Sequence, residues 1–352
     1  MKGIVFPGNR AIEMREFDEP TPGSGEVIIE IKASGMCGSD LKFYRDPKGQ
    51  AGGAAAMGIK QVGPIIGGHE PCGVVAAVGP NVTDKQATVG RRVIPFRYLS
   101  CGVCEFCRAG WLQHCVDGVR AIFGVTAHGA HARYMKCPAN TLVTLPEELS
   151  FAAGAAIACG TGTAWGGLQR LGIQGQHTIA VFGQGPVGLS ATQLASELGA
   201  RVIAVDIAPE RLQRAKEFGA DITINPNDTP DVVAAIREVT HGLGSDLSLD
   251  ASGASQARVQ AVRCVRTFGK ACYIGEGGNV TLDVSSDLLR RQVTIVASWT
   301  MSIVGLEQCV RYFADRKIDV DAIFTHRWSL ERADEAYRVF DAQTAGKGVF
   351  LN

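Results

Sequence analysis

Thr178–Gly188, TIAVFGQGPVG, is the stretch on which the fold turns. A strand-forming run, TIAVF, enters Gly183, Gly185 and Gly188 at GxGxxG spacing, and a helical run follows over Gly188–Leu198. Each glycine answers a separate steric demand. The first permits the tight turn, the second lets the backbone approach a pyrophosphate, and the third lets helix pack on strand. The helix N-terminus offers unpaired N–H groups and partial positive charge to phosphates. The next strand-like run, Arg201–Val205, leads into Asp206, eighteen positions beyond Gly188. A carboxylate there accepts hydrogen bonds from the adenosine ribose and repels a 2′-phosphate, which predicts NAD(H) over NADP(H). Arg211 would soften that choice, although no basic residue directly follows Asp206. The competing reading is a glycine turn in an α/β fold that holds no nucleotide.

Outward from this turn, strand and helix patterns alternate from about 175 to 298. Further strand-like runs are Leu247–Asp250 and Lys270–Ile274, and Pro209–Phe218 reads as a helix. The alternation predicts an α/β fold with a doubly wound parallel sheet. Residues 1 to about 150 instead show short β-like runs broken by Gly and Pro, such as Val27–Ile31, Gly73–Val78 and Arg92–Ile94. After about 299 the strand–helix units no longer repeat cleanly, and the tail is expected to rejoin the first domain. Asp46–Gly63, rich in Gly and Ala, reads as a surface loop.

A chain of 352 residues suggests two domains with ample core. Lys+Arg and Asp+Glu are equal at 35 each, so no net field favours nucleic acid or an anionic membrane. The most apolar stretch, FAAGAAIACGTGTAW, is too short and too rich in Gly and Thr to span a bilayer. MKGIVFPGNR lacks the apolar centre and cleavage site of a signal peptide. Eleven cysteines, an odd number, then fit a reducing, cytoplasmic setting in which thiolates hold metal.

Cys101, Cys104, Cys107 and Cys115 lie in CGVCEFCRAGWLQHC. Sulfurs so spaced on a tight loop can close a tetrahedron around a structural Zn²⁺ with no open position. Disulfides within such a run would close only small loops and remove little chain entropy. A second donor set is dispersed: Cys37 in GMCGSD, His69 and Glu70 in GGHEP, and Cys159 in ACGTGTAW. Cys₂His is a catalytic zinc composition. Glu70 is either a fourth ligand that exchanges with water or substrate, or an acid just behind the ligands. Asp40 either orients the His69 imidazole through its other nitrogen or caps the helix that follows. Cys72, Cys137, Cys264, Cys272 and Cys309 read as packed thiols. His114, His128, His131, His177, His241 and His326 have no second donor at ligand spacing.

Taken together, GMCGSD, GGHEPCGVV, the four-cysteine lobe, ACGTGTAW, VFGQGPVG and the Asp206 strand resemble, in order and over almost the full length, the zinc-containing medium-chain alcohol and polyol dehydrogenases, sorbitol dehydrogenase-like members included. The resemblance implies a GroES-like, β-rich catalytic domain over 1–153 with a structural zinc lobe at 97–116. It implies a Rossmann NAD-binding domain over 154–295, a return to the catalytic domain over 296–352, and an active site in the cleft between domains. It further implies two Zn²⁺ per chain, a proton relay through Ser39, and Thr163 and Val187 against the nicotinamide. Lys42 stands where some members carry a relay histidine.

The implied activity is NAD-dependent oxidation of an alcohol, with Phe43, Arg97 and Trp299 lining the substrate pocket. An arginine with two aromatics suits a secondary hydroxyl on a polar polyol, cyclitol or hydroxy acid better than ethanol, unless Arg97 points to solvent. A simple primary or secondary alcohol, or an aldehyde, is the alternative within the family. A zinc-free quinone or enoyl reductase and a non-catalytic nucleotide-binding protein are the alternatives outside it. In such dehydrogenases the last Rossmann strands pair across a two-fold axis. Val293–Ala297, VTIVA, therefore predicts a homodimer or homotetramer.

Overall fold

A computed structural model describes residues 1–49, 51–52, 63–342 and 346–352. Its backbone divides into two units, Gly160–Met301, and Met1–Cys159 together with the stretch that begins at Ser302. Most of the segment expected to form a surface loop, 46–63, lies outside the described residues.

In the Gly160–Met301 unit, six strands form one parallel sheet: β1 (Thr178–Phe182), β2 (Arg201–Val205), β3 (Ile222–Ile224), β4 (Ser245–Asp250), β5 (Val265–Tyr273) and β6 (Thr294–Ala297). Their spatial order is β3-β2-β1-β4-β5-β6. This is the doubly wound order of dinucleotide-binding sheets, and the reversal beside β1 is where such sheets bind ligands. The near-continuous apolar runs follow from burial on both faces: Ile179–Phe182 and Val202–Val205 are all buried. Ala180, Phe182, Ile203 and Val205 pack with Ile236, Ala261 and Val265. Both β4 and β5 begin earlier than the sequence runs suggest. The Ser248 hydroxyl donates to the Ala261 carbonyl, so a polar residue is accommodated inside β4.

The other unit is built on a seven-stranded sheet. Its path runs Phe324–Trp328, Lys347–Leu351, Glu26–Gly35, Pro71–Val78, Arg92–Pro95 and Leu142–Thr144, with Tyr134–Pro138 also paired to Glu26–Gly35. All pairings are antiparallel except the first. Val349 sits opposite Gly35, so the end of the chain is a strand within the sheet begun at the front. Val27, Ile29, Ile31, Val75, Val93 and Met135 form the core between them. The central strand, Glu26–Gly35, runs out at a turn that leads into the short helix Asp40–Arg45. Among the described residues, no helix is long and apolar enough to cross a membrane.

Candidate active site

The glycine turn has the geometry its spacing demands. Gly183 has φ +85°, a conformation that L side chains rarely adopt. A Cβ on Gly188 would lie 1.7 Å from the Gly183 carbonyl oxygen, so helix Pro186–Glu197 approaches the turn as closely as a glycine allows. A Cβ on Gly185 would meet nothing within 4 Å, which leaves open the face that a pyrophosphate needs. Asp206 is buried; its carboxylate accepts the N–H of Gln184 at 2.6 Å and of Ala208 at 2.9 Å. The Asp206 carboxylate therefore ties down the glycine turn. Arg211 stands 3.8 Å from the same carboxylate. A Cβ on Gly160 would lie 3.7 Å from Val187, and the half-buried Thr163 lies in helix Gly162–Leu171.

In the cysteine lobe, the ligand atoms of Cys101, Cys104, Cys107 and Cys115 all fall within 4.8 Å of one another. The Cys101 and Cys107 sulfurs are 3.8 Å apart, and those of Cys104 and Cys115 are 4.0 Å apart. A tetrahedron with Zn–S bonds of about 2.3 Å has S–S edges of about 3.8 Å, so the donors fit zinc with no further ligand. All eleven cysteines are free thiols, and these four are not in bonding contact. Backbone N–H groups of Cys107 and Val116 hold the Cys104 thiol down to about 6, which favours the thiolate a metal requires.

The second set converges as well: ligand atoms of Cys37, His69, Glu70 and Cys159 lie within 4.8 Å of one another. Cys37 and Cys159 sulfurs are 3.9 Å apart. The donors come from three places in the chain. Cys37 follows the central strand, His69 and Glu70 precede strand Pro71–Val78, and Cys159 lies in a π turn, Ile157–Thr161. Such turns displace a side chain from the helical register and recur at functional sites. Ser39 opens helix Asp40–Arg45 without a capping bond from its side chain. Its hydroxyl donates to Cys37 Sγ at 3.2 Å and lies 3.1 Å from His69 Nε2. The Cys159 thiol, then His69 and Lys347, draw the Cys37 thiol well below its ordinary value against the effect of burial.

Asp40 stands behind this set. Its Oδ2 accepts the Cys37 N–H at 2.8 Å, and its Oδ1 is 2.9 Å from His69 Nδ1, an ion-pair contact off the line of a good hydrogen bond. His69 Nε2 is thereby left for the donor cluster. Burial pushes the Glu70 carboxyl up to about 7 against the pull of Lys347, whose Nζ is 2.6 Å away and donates to the Met36 carbonyl at 2.8 Å.

The three pocket candidates have different surroundings. Arg97 does not point to solvent: it is 7% exposed, interacts with the Cys159 thiol and lies over the Tyr98 ring, and its Nη1 has no hydrogen-bond partner. Phe43 is buried on helix Asp40–Arg45, whereas Lys42 beside it is exposed. Trp299 belongs to the Gly160–Met301 unit; it is 40% exposed, and its indole donates to Glu276 at 2.9 Å. Lys347 was invisible to sequence reasoning. A lysine beside a glycine near the C-terminus carries no motif, and only the pairing of Lys347–Leu351 into the sheet brings it to Glu70.

The chain as a whole matches known proteins. Residues 23–147 match the alcohol dehydrogenase GroES-like domain, and residues 186–315 match the zinc-binding dehydrogenase domain. The chain belongs to the zinc-type medium-chain alcohol and polyol dehydrogenase family. It is 37% identical to the zinc-type alcohol dehydrogenase-like protein YphC of Escherichia coli K12, over 99% of this chain and 98% of that one. It is 30% identical to the sorbitol dehydrogenase of Bacillus subtilis, over 96% and 92%. An alcohol dehydrogenase of E. coli CFT073 solved with NADH superposes at TM-score 0.86, with 25% identity over 100% and 99% of the chains. A zinc-binding dehydrogenase of Sinorhizobium meliloti solved with NADP superposes at 0.87, with 26% identity over 100% and 99%. The chain is an oxidoreductase of this family.

Proposed function

We propose that the chain oxidises a secondary hydroxyl on a polar polyol, cyclitol or hydroxy acid, with NAD as hydride acceptor. The observation that carries the reading is the unpartnered, buried Arg97 Nη1 beside Cys159, one of the candidate ligands. A guanidinium nitrogen shielded from water and left without an acceptor is costly. A substrate hydroxyl or carboxylate in reach of it satisfies that donor, and ethanol, with its single hydroxyl committed to the reaction, does not.

Cys37, His69 and Cys159 are the zinc ligands in this reading, with Glu70 as the exchangeable fourth donor. Cys101, Cys104, Cys107 and Cys115 hold the structural ion. When bound, the catalytic zinc supplies Lewis acidity at the reacting oxygen, and NAD supplies the hydride acceptor. Ser39 relays the proton released from the alcohol, accepting it as its own proton passes outward to solvent, since its hydroxyl touches two of the ligands and is not spent on capping. Asp40 fixes His69 and Cys37 together. Gly183, Gly185, Pro186 and Gly188 receive the pyrophosphate, Asp206 the adenosine ribose, and Thr163 and Val187 the nicotinamide. Phe43, buried on the helix that Ser39 opens, is an aromatic wall of the pocket in this reading. The protein works as a homodimer or homotetramer, because β6 is an edge strand whose Ile295 is exposed. Eleven free thiols suit a reducing compartment.

Steady-state kcat/KM over primary alcohols, secondary alcohols, sugar alcohols, cyclitols and hydroxy acids tests the assignment. Arg97→Ala is expected to raise KM for the polar substrate about tenfold or more, the worth of a charged hydrogen bond, at unchanged zinc content. Efficient ethanol oxidation indifferent to Arg97→Ala would reject it.

A further inference from the structure

Behind Asp40 lies a second layer of buried polar groups. His131 is fully buried, with Nδ1 2.7 Å from the Ser34 hydroxyl and Nε2 2.6 Å from the Tyr337 hydroxyl. Ser34 and Tyr337 are equally buried. Burial, and after it the charge of nearby Asp40, keeps the Tyr337 phenolic proton in place. These groups come from the central strand, the segment before Tyr134–Pro138 and helix Ala333–Ala342, so no local structure requires them to meet.

We propose that Ser34, His131 and Tyr337 are positioning residues for the metal centre: a buried hydrogen-bond chain that holds the His131 ring against the turn that carries His69. This rests on the zinc reading above. Burial pushes His131 down to about 4 despite Asp40, so the ring is neutral and carries one proton. One ring nitrogen then donates and the other accepts, so the Ser34 and Tyr337 hydroxyls each complete one bond to the ring, and losing either leaves a buried polar atom unpaired.

The same histidine also fixes the loop that carries His69. A Cβ on Gly68, which has φ +85°, would lie 2.4 Å from His131 Nδ1, so the ring packs directly on the residue before the ligand. His131 N–H donates to the Gly67 carbonyl at 2.9 Å, and Ala130 N–H to that of Gly68 at 2.8 Å. A packing role alone would be filled by apolar side chains, because Phe6 and Phe350 surround the two rings edge-on or tilted. Three polar groups in such a place persist only when each is satisfied.

Tyr337→Phe removes the hydroxyl and keeps the ring. The measurement is zinc retained per chain during titration of the full-length holoenzyme with EDTA, paired with the visible spectrum of the cobalt-substituted protein. Wild type should hold two ions per chain, released at separate chelator concentrations. In Tyr337→Phe the catalytic ion should leave at about tenfold lower EDTA, the low end for loss of a residue that supports a metal ligand. The cobalt bands should shift, and the structural ion should be unmoved. Should Tyr337→Phe not fold, Ser34→Ala removes the far end of the chain, and its catalytic ion must also leave at lower EDTA. Unchanged release and spectrum overturn the inference, as does a common shift of both ions with a fall in melting temperature. A wild-type chain that binds a single zinc overturns the metal reading itself and this inference with it.

Discussion

On the coenzyme reading proposed above, Asp206→Ala separates two roles of one carboxylate. In the wild type the group accepts the Gln184 and Ala208 N–H groups at 2.6 and 2.9 Å, so its loss loosens the glycine turn for any dinucleotide. That cost falls on both coenzymes and cancels in their ratio. What does not cancel is the ribose. Losing one hydrogen bond to a charged acceptor weakens NAD by about 1.5–3 kcal/mol. For NADP the change has the opposite sign. A unit charge pair about 4 Å apart at an effective dielectric of about 20 repels by about 4 kcal/mol. Arg211, 3.8 Å from the carboxylate, offsets part of this in the wild type and is released toward the phosphate in the variant. Taking the relief as about 2–4 kcal/mol, the NAD-to-NADP preference should fall by about 3.5–7 kcal/mol, or at least about 300-fold. The assay is kcat/KM for each coenzyme at saturating alcohol, with melting temperature as a separate readout of the loosened turn. A wild type that prefers NADP, or a ratio that Asp206→Ala leaves in place, refutes the reasoning.

Gly188→Ala forces a Cβ to within 1.7 Å of a backbone oxygen. It should lower stability by at least about 1–3 kcal/mol, as overpacking does, and abolish NAD binding by calorimetry; wild-type melting and affinity would show that helix and turn can part freely. Cys104→Ser should reduce zinc from two ions per chain to one and lower the melting temperature by several degrees, while the folded fraction keeps its turnover. A fully stable Cys104→Ser enzyme without turnover would show that the lobe serves chemistry instead.

What could be read from the sequence was what the chain keeps local. The Gly183–Gly188 spacing implied a turn, and the turn has the left-handed φ and the close helix approach that only glycine permits. Four cysteines within fifteen positions implied a sulfur tetrahedron, and the sulfurs stand at zinc-like separations. Cys37, His69 and Cys159 span more than a hundred positions, so spacing carried nothing, and they were grouped by their Cys₂His composition and by the resemblance. Arg97 was undecidable between solvent and pocket, because burial of a strand-end arginine depends on what the remote Cys159 brings beside it.

The residues behind the donor set were beyond sequence reasoning for the same reason. Lys347 and Tyr337 come from the tail, and no periodicity connects them to Glu70 or Asp40. Yet they change what the cluster can do. Burying Lys347 and Glu70 together carries a large desolvation penalty, which their attraction offsets only if the remaining donors and acceptors are met. Lys347 meets the Met36 carbonyl, while neither Glu70 oxygen has an in-line partner. The carboxylate is thus held through Oε2 by its ion pair with Lys347 while Oε1 stays without a partner, which is the condition a fourth, exchangeable ligand would have to satisfy. Lys347→Met should therefore strand Glu70, favour its protonated form and weaken retention of the catalytic ion. Equal chelator resistance in Lys347→Met and wild type would mean that Glu70 takes no part in holding the metal.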